Sequence, residues 1–337
     1  MLENVNWGFN VKKFNKDLMV PKSSPVVYKD YVLFGTDCGF FFCIDRLSGK
    51  LNWFKDTKTS NPKGILSSPA VKDGIVYFGA YNGVLYAYDI EEGDEVWRRR
   101  ICDWIGSSPC IVGDTIYLGL EHREKPQGSL VSIDRETAEV KWKYPFKEWL
   151  HGSPVYSKEH DMVVIGTNDK EIFSLGAATG ILHKSLKVGN DIKYHAALKD
   201  DVAVFGSWDN SIYFWNFVTG EVLKKIETAD KIYSRPLIVG DFAYVGSKDC
   251  HMYIIDMRDW SVDRVETGRM VYSSPTLHLG KIWFGSADGW LYQIDPDTKA
   301  AVKHTEFGQL LVNAVAGSGQ DLFILTQENT LYSMKVT

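Results

Sequence analysis

A phrase that returns about every forty residues constrains this chain more than any other feature. It reads Ser-Ser-Pro, a short strand, a turn, an apolar run ending in Gly, a polar turn, and Leu-Tyr-x-x-Asp. One copy runs from Ser67-Ser68-Pro69 through Ile75-Val76-Tyr77-Phe78-Gly79 and Tyr81-Asn82-Gly83 to Leu85-Tyr86-Ala87-Tyr88-Asp89. Another starts at Ser273-Ser274-Pro275 and passes Trp283-Phe284-Gly285 and Ala287-Asp288-Gly289 to reach Leu291-Tyr292-Gln293-Ile294-Asp295. A period of this length means that the chain is an array, in which each unit buries its apolar faces against the next.

Two landmarks count the units independently. The residue ending the second strand is Gly35, Gly79, Gly119, Gly166, Gly206, Gly246 and Gly285, with Thr326 in the eighth place. The residue closing the third strand is Asp45, Asp89, Asp134, Gly176, Asn216, Asp256, Asp295 and Lys335. Both give eight. Each unit holds four short apolar runs separated by turn residues, the pattern of antiparallel strands. In the second unit they are Pro69–Lys72, Ile75–Ala80, Val84–Ile90 and Glu95–Arg100, and Asp73-Gly74 and Asn82-Gly83 supply hairpin turns that tolerate positive φ. Four strands per period of forty predict an all-β, eight-bladed propeller that uses residues 1–337 as one domain.

The eighth unit stops after its third strand, Thr330–Val336. The other end of the chain carries the missing piece: Asn4–Val11 contains Trp7, which matches Trp53, Trp97 and Trp142 on the fourth strands of units one to three. Residues 4–11 are therefore expected as the outer strand of blade eight. Closure of this kind removes the sheet edges that an open array would expose.

Composition excludes several function classes. A net charge of −5 argues against a nucleic-acid partner held by general electrostatics, and no apolar run is long enough to span a membrane. The five cysteines, at positions 38, 43, 102, 110 and 250, include no Cys-x-x-Cys pair and no complete disulfide framework. The N-terminus has no basic segment followed by an apolar one. These features together give the expectation of a reducing, cytoplasmic setting.

The consensus of Ser-Pro, Val-Tyr-x-Gly, Asp-Gly-x-Leu-Tyr-Ala-x-Asp, Thr-Gly and Trp resembles the PQQ-like β-propeller repeat. Matching pieces include Ser48-Gly49 before Trp53, Glu92-Gly93 before Trp97, Thr137-Ala138 before Trp142, Thr179-Gly180 and Thr219-Gly220. The eight-bladed arrangement is similar to the outer-membrane assembly propeller of the Bam machinery and, more distantly, to the quinoprotein alcohol dehydrogenases. Adjacent cysteines stack on the quinone in that second group. No two cysteines are adjacent here, the calcium site cannot be assembled from matching residues, and units four to seven lack the fourth-strand Trp. No cofactor, PQQ included, is expected. The Bam lipoprotein also carries a lipidated Cys after a signal peptide, and neither is visible in this sequence. The repeat serves many roles, so it implies a fold more than an activity.

In such a ring the innermost strands line a central channel, and eight entry loops converge on its mouth, where ligands and partners gather. Most of these loops are small and hydroxylic, as expected where crowded loops need hydroxyls to satisfy backbone groups. The departures are His151, Lys193, Tyr194, His195 and Arg235 in consecutive units four to six. Lys22 and Tyr233 sit at the same rim, and Trp208 lies in a turn of unit five as an exposed aromatic beside Lys193 and His195. These eight residues form the candidate site. One reading is a pocket for a polar or anionic ligand; the other is a broad mouth that tolerates solvated side chains. Trp104 and Trp149 stand on entry loops and serve either as anchors or as packing between blades. Residues Glu121–Gly128 form the one long insertion and are expected to be a mobile, charged loop. The repeated turn Asp residues, such as Asp209, Asp249 and Asp288, read as turn chemistry.

His151 and His195 are potential metal ligands, but no carboxylate or Cys completes a set at recognisable spacing, so no metal is expected. No Ser-His-Asp spacing or phosphate loop names a reaction. The sequence therefore points to a non-catalytic scaffold that binds a protein, peptide or small polar ligand at the channel mouth. The alternative is an enzyme with an acid–base site built from His151, Lys193, Tyr194, His195 and Arg235.

Overall fold

The structure is a computed structural model that describes residues 4–14, 23–58, 64–124 and 127–336. Thirty-two strands form eight four-stranded antiparallel sheets, and the only helical element among the described residues is a 3-10 turn at Val11–Lys13. Blade two consists of Ala70–Lys72, Ile75–Gly79, Val84–Asp89 and Glu95–Arg100, close to the runs read from the sequence. Its first hairpin turns on Asp73 (φ 52°) and Gly74 (φ 80°), the mirror-image turn that matches strand twist. The short innermost strands contact their neighbours around the axis, and that of blade eight, Ala316–Ser318, touches that of blade one, Val26–Tyr28. Residues on these strands keep partial solvent access, so an open channel runs through the ring.

Val5–Asn10 pairs antiparallel with Thr330–Lys335, placing Trp7 opposite Ser333 and Phe9 opposite Leu331, and completes blade eight as expected. The fourth-strand tryptophans then act alike. Trp7, Trp53, Trp97 and Trp142 each donate their indole N–H to a backbone oxygen on the following blade: Arg46, Ile90, Arg135 and Ala177, at 2.7–3.0 Å. Each staples its blade to the next. Trp7 thereby ties blade eight to blade one.

The core is not one mass but a series of layers between adjacent blades. Leu33, Phe41 and Cys43 of blade one pack on Val76, Phe78 and Tyr86 of blade two, with Phe41 and Phe78 stacked at 3.9 Å. The same layer closes the ring where Phe9, Phe323 and Leu331 meet Val32, Phe34 and Phe42. This geometry explains the repeated Gly. An apolar residue just ahead of each entry loop wedges over the preceding blade, its amide bonded to that blade's backbone, as with Ile65 to Thr36 at 2.8 Å and Ile192 to Thr167 at 3.0 Å. A methyl group added at Gly79 would lie 2.1 Å from Ile105 Cγ2, and at Gly206 2.0 Å from Ile232 Cγ2. Only a residue without Cβ accepts the wedge at those distances.

Two expectations need correction. Leu325, not Thr326, holds the eighth Gly position, because Leu325 pairs with Leu331 as Gly35 pairs with Phe41. Leu325 breaks the Gly rule, and the wedge position ahead of blade one, residue 21, lies outside the described residues. The insertion in unit three is a longer hairpin rather than a loose loop. Its strands Thr115–His122 and Gln127–Asp134 stay paired as far as His122 and Gln127, and Glu121 is buried.

Candidate functional site

The Ser-Ser pair before each innermost strand does two jobs. The first Ser turns into its own blade: Ser23, Ser67, Ser107 and Ser234 accept from the N–H of Gly35, Gly79, Gly119 and Gly246 at 2.7–3.1 Å. The second links neighbouring blades around the axis. Ser24 N–H donates to Ser68 Oγ, Ser68 N–H to Ser108 Oγ, and Ser108 N–H to Ser153 Oγ, at 2.8–3.0 Å. The relay resumes with Arg235 N–H to Ser274 Oγ and Ala314 N–H to Ser24 Oγ. Small hydroxyls recur because this narrow ring uses them to satisfy loop amides.

The substituted positions in that ring are adjacent. Blade five presents His195 and blade six Arg235 where the second Ser would stand, and Arg235 Nη1 donates to His195 Nε2 at 3.1 Å. Tyr194 replaces the first Ser and is 38% exposed, so its ring stands in the channel rather than inside the blade. Tyr194, Tyr233 and Tyr272 form a row with ring centroids 6.0 and 5.2 Å apart. Trp208 stacks on Tyr233 at 5.0 Å, with Lys193 Nζ 3.8 Å and Lys231 Nζ 4.7 Å from its ring. Trp208 is thus half-buried beneath two ammonium groups, where the sequence led us to expect an exposed aromatic. Lys193 also pairs with Asp191 at 3.4 Å. Lys22 lies outside the described residues.

His151 belongs to a different grouping. Its Nδ1 is 3.0 Å from Asn168 Nδ2 and its Nε2 3.9 Å from the carboxylate of Glu121. Tyr81 OH donates to the other Glu121 oxygen at 3.3 Å, and Gly106 leaves room for both, since a methyl there would lie 2.9 Å from Tyr81 OH. Trp104 and Trp149 meet edge-to-face at 6.0 Å beside this cluster, and Trp149 Nε1 donates to His122 O. The sequence reading missed Glu121 as a site residue because it assigned that position to a loop. The available signal was strand alternation running past Gly119 into Leu120-Glu121. A groove of about 780 Å³ on the same face, between blades six and eight, is lined by Lys12, Arg269, Asp288, Gln309, Gln327 and Glu328. It lies outside the sector that the sequence singled out.

Electrostatics separate the groups further. Burial, and then the Arg235 guanidinium, hold the His195 imidazole well below its usual range, so this ring is neutral and accepts from Arg235. Burial pushes the Tyr81 hydroxyl up, together with the adjacent Glu121. Burial also raises the Cys38 and Cys250 thiols, so neither is an activated nucleophile. The turn carboxylates are structural: Asp209, Asp249 and Asp288 each accept from a Tyr hydroxyl of their own blade and from a backbone N–H of the preceding entry loop. Among the described residues, one trio has metal-like spacing: Glu159, His160 and Asp201, in turns at the opposite end of the blades. There His160 Nε2 lies 2.7 Å from Asp201, an inter-blade pair.

The comparisons with known proteins agree with this architecture. The family model described as outer membrane protein assembly factor BamB matches residues 5–144, less than half of the chain. An outer membrane protein assembly factor BamB from Francisella salina is 29% identical over 82 residues, 24% of this chain and 15% of that protein. A quinoprotein ethanol dehydrogenase from Pseudomonas aeruginosa is 26% identical over 110 residues, 30% of this chain and 16% of that protein. The matched regions therefore span well under two thirds of these relatives. The crystal structure of BamB from Moraxella catarrhalis covers 99% of this chain and all of its own at a TM-score of 0.76 and 15% identity, which shows a shared fold.

Proposed function

We propose that this protein is a rigid, non-catalytic propeller scaffold that holds a protein or peptide partner on its channel-mouth face, in the sector of blades four to six. The observation that carries this reading is the rim cluster of Trp208, Tyr233, Tyr194, Lys193 and Lys231. Aromatic side chains held rigid by stacking and flanked by cations supply large contact area at little entropic cost, the composition of an interface hot spot. Relatives named as assembly factors support a scaffold more than an active site. An acid–base enzyme is the weaker alternative, because the five residues divide between two groupings. His151 bonds to Asn168 and Glu121, while His195 bonds to Arg235.

The test is affinity capture from native lysate with the wild type and a Trp208→Ala/Tyr233→Ala variant of unchanged circular dichroism. Loss of two such anchors should weaken the specific partner by at least about tenfold. Identical capture by both proteins refutes the assignment of this sector.

A further inference from the structure

The ring of hydroxyls that encircles the channel neck is neutral everywhere except at Arg235. Among the described residues this guanidinium has one side-chain partner, the neutral ring of His195, and no ion pair to a carboxylate. Two lysines of this sector are matched, Lys193 to Asp191 and Lys248 to Asp230, and Lys231 lies at the rim over the Trp208 ring. Arginine presents five donors in a planar fork, so at least four remain. The bond to Nε2 leaves the proton of His195 on Nδ1, by assignment from this hydrogen bond, which adds a further donor. The rings of Tyr194, Tyr233 and Tyr272 stand in a row on the adjoining entry loops, with the Tyr272 hydroxyl donating to Met270 Sδ at 3.0 Å. Arg235 and His195 thus offer donors at the neck, and no acidic side chain pairs with either among the described residues. A partly buried guanidinium with no counter-charge is a ready partner for an anion.

We infer that the channel neck at Arg235 and His195 is a binding site for a carboxylate, entering past the aromatic rim of Tyr194, Tyr233 and Tyr272. A planar carboxylate fits the fork in two parallel bonds. A single guanidinium fork suits a single negative charge better than a phosphate dianion. The carboxylate has two sources, a small organic acid or the C-terminus of a peptide chain. The site adjoins the proposed partner surface and shares Tyr194 and Tyr233 with it, but its anchor is Arg235 rather than Trp208.

Isothermal titration calorimetry on the full chain tests this with four probes: acetate, the peptide acetyl-Gly-Ala-Phe as free acid, its C-terminal amide, and inorganic phosphate. Binding of the free-acid peptide with the amide weaker by about tenfold or more assigns the site to chain termini. Binding of acetate with no gain from the peptide assigns it to small acids. In either case Arg235→Gln should weaken binding by about tenfold to a hundredfold, and Arg235→Lys should recover only part, because an ammonium lacks the fork. Trp208→Ala should leave acetate binding unchanged, which separates failure here from failure of the partner surface. Three results overturn the inference: no carboxylate probe binds, phosphate binds as well as carboxylate, or a folded Arg235→Gln protein binds as the wild type does.

Discussion

Removing the Trp7 indole tests closure of the ring at a single side chain. Trp7 is half-buried, its ring lies 5.9 Å from that of Phe323, and its N–H donates to Arg46 O at 3.0 Å across the junction of blades eight and one. Tryptophans bury about 150–250 Å² when fully enclosed; a half-buried one loses about 100 Å² of contact on truncation, or about 2.5 kcal/mol at about 25 cal/mol per Å². The hydrogen bond adds about 1 kcal/mol. Trp7→Ala should therefore cost about 3–4 kcal/mol and lower the melting temperature by about 4–6 °C, measured by calorimetry beside Trp53→Ala as an internal staple. Gly49 sharpens the test, because a methyl there would lie 2.5 Å from Trp7 Cδ2. Gly49→Ala should be strongly destabilising in the wild type and less so in the Trp7→Ala background. The residual cost reflects its φ of 68°. A melting temperature within about 1 °C of wild type for Trp7→Ala, or full additivity of the pair, would refute the argument. Deleting residues 1–14 should destabilise the whole ring more severely still, by the same assay.

Further outcomes follow from the wedges and the turns. Gly79→Ala should cost roughly 1–3 kcal/mol from overpacking against Ile105, and combining it with Ile105→Ala should cost less than the two separate losses together, in a denaturant double-mutant cycle. Additive costs would mean that the two do not touch. The hydroxyls of Tyr213, Tyr253 and Tyr292 donate to Asp209, Asp249 and Asp288 at 2.6–2.7 Å, and burial followed by these carboxylates raises their pKa values. A raised folded-state pKa contributes stability that is complete below the unfolded value of about 10 and is lost as pH rises through the folded value. Stability should therefore fall as pH rises above about 10, and Tyr253→Phe should make the fall shallower; an unchanged slope would show that the dyads do not contribute.

Blade count, strand order and the closing strand were all legible, because each rests on residues that repeat for a physical reason. Gly79 and its counterparts repeat because the next blade presses an aliphatic side chain on them, and Ile65, Ile105, Leu150, Ile192, Ile232, Val271 and Leu311 announce that wedge two residues before the first Ser position of each loop. The slip at Thr326 arose where Leu325 breaks the rule that the count relied on. Glu121 was hidden because a chain that lengthens a hairpin and a chain that forms a loop look alike until the strands pair. His195 and Arg235 were readable as neighbours, since they occupy equivalent positions on consecutive blades. The lysine pair over Trp208 was not, because Lys231 arrives from the loop of another blade and nothing periodic marks it.

The strand that completes blade eight also sets a clock. Asn10 and its partner Thr330 stand 320 residues apart in sequence. At about 5–20 residues per second, Val5–Asn10 emerges from the ribosome roughly 16–64 s before its partner exists. Throughout that wait it is a solitary strand whose edges are open to any other chain. Its alternation of exposed Asn6, Gly8 and Asn10 with Val5, Trp7 and Phe9 leaves one face polar, which limits how well it can pair with a stranger. The ring thus depends on a segment that is made early, kept idle and used last, and nascent chains stalled before residue 330 should be the form of this protein most prone to aggregate.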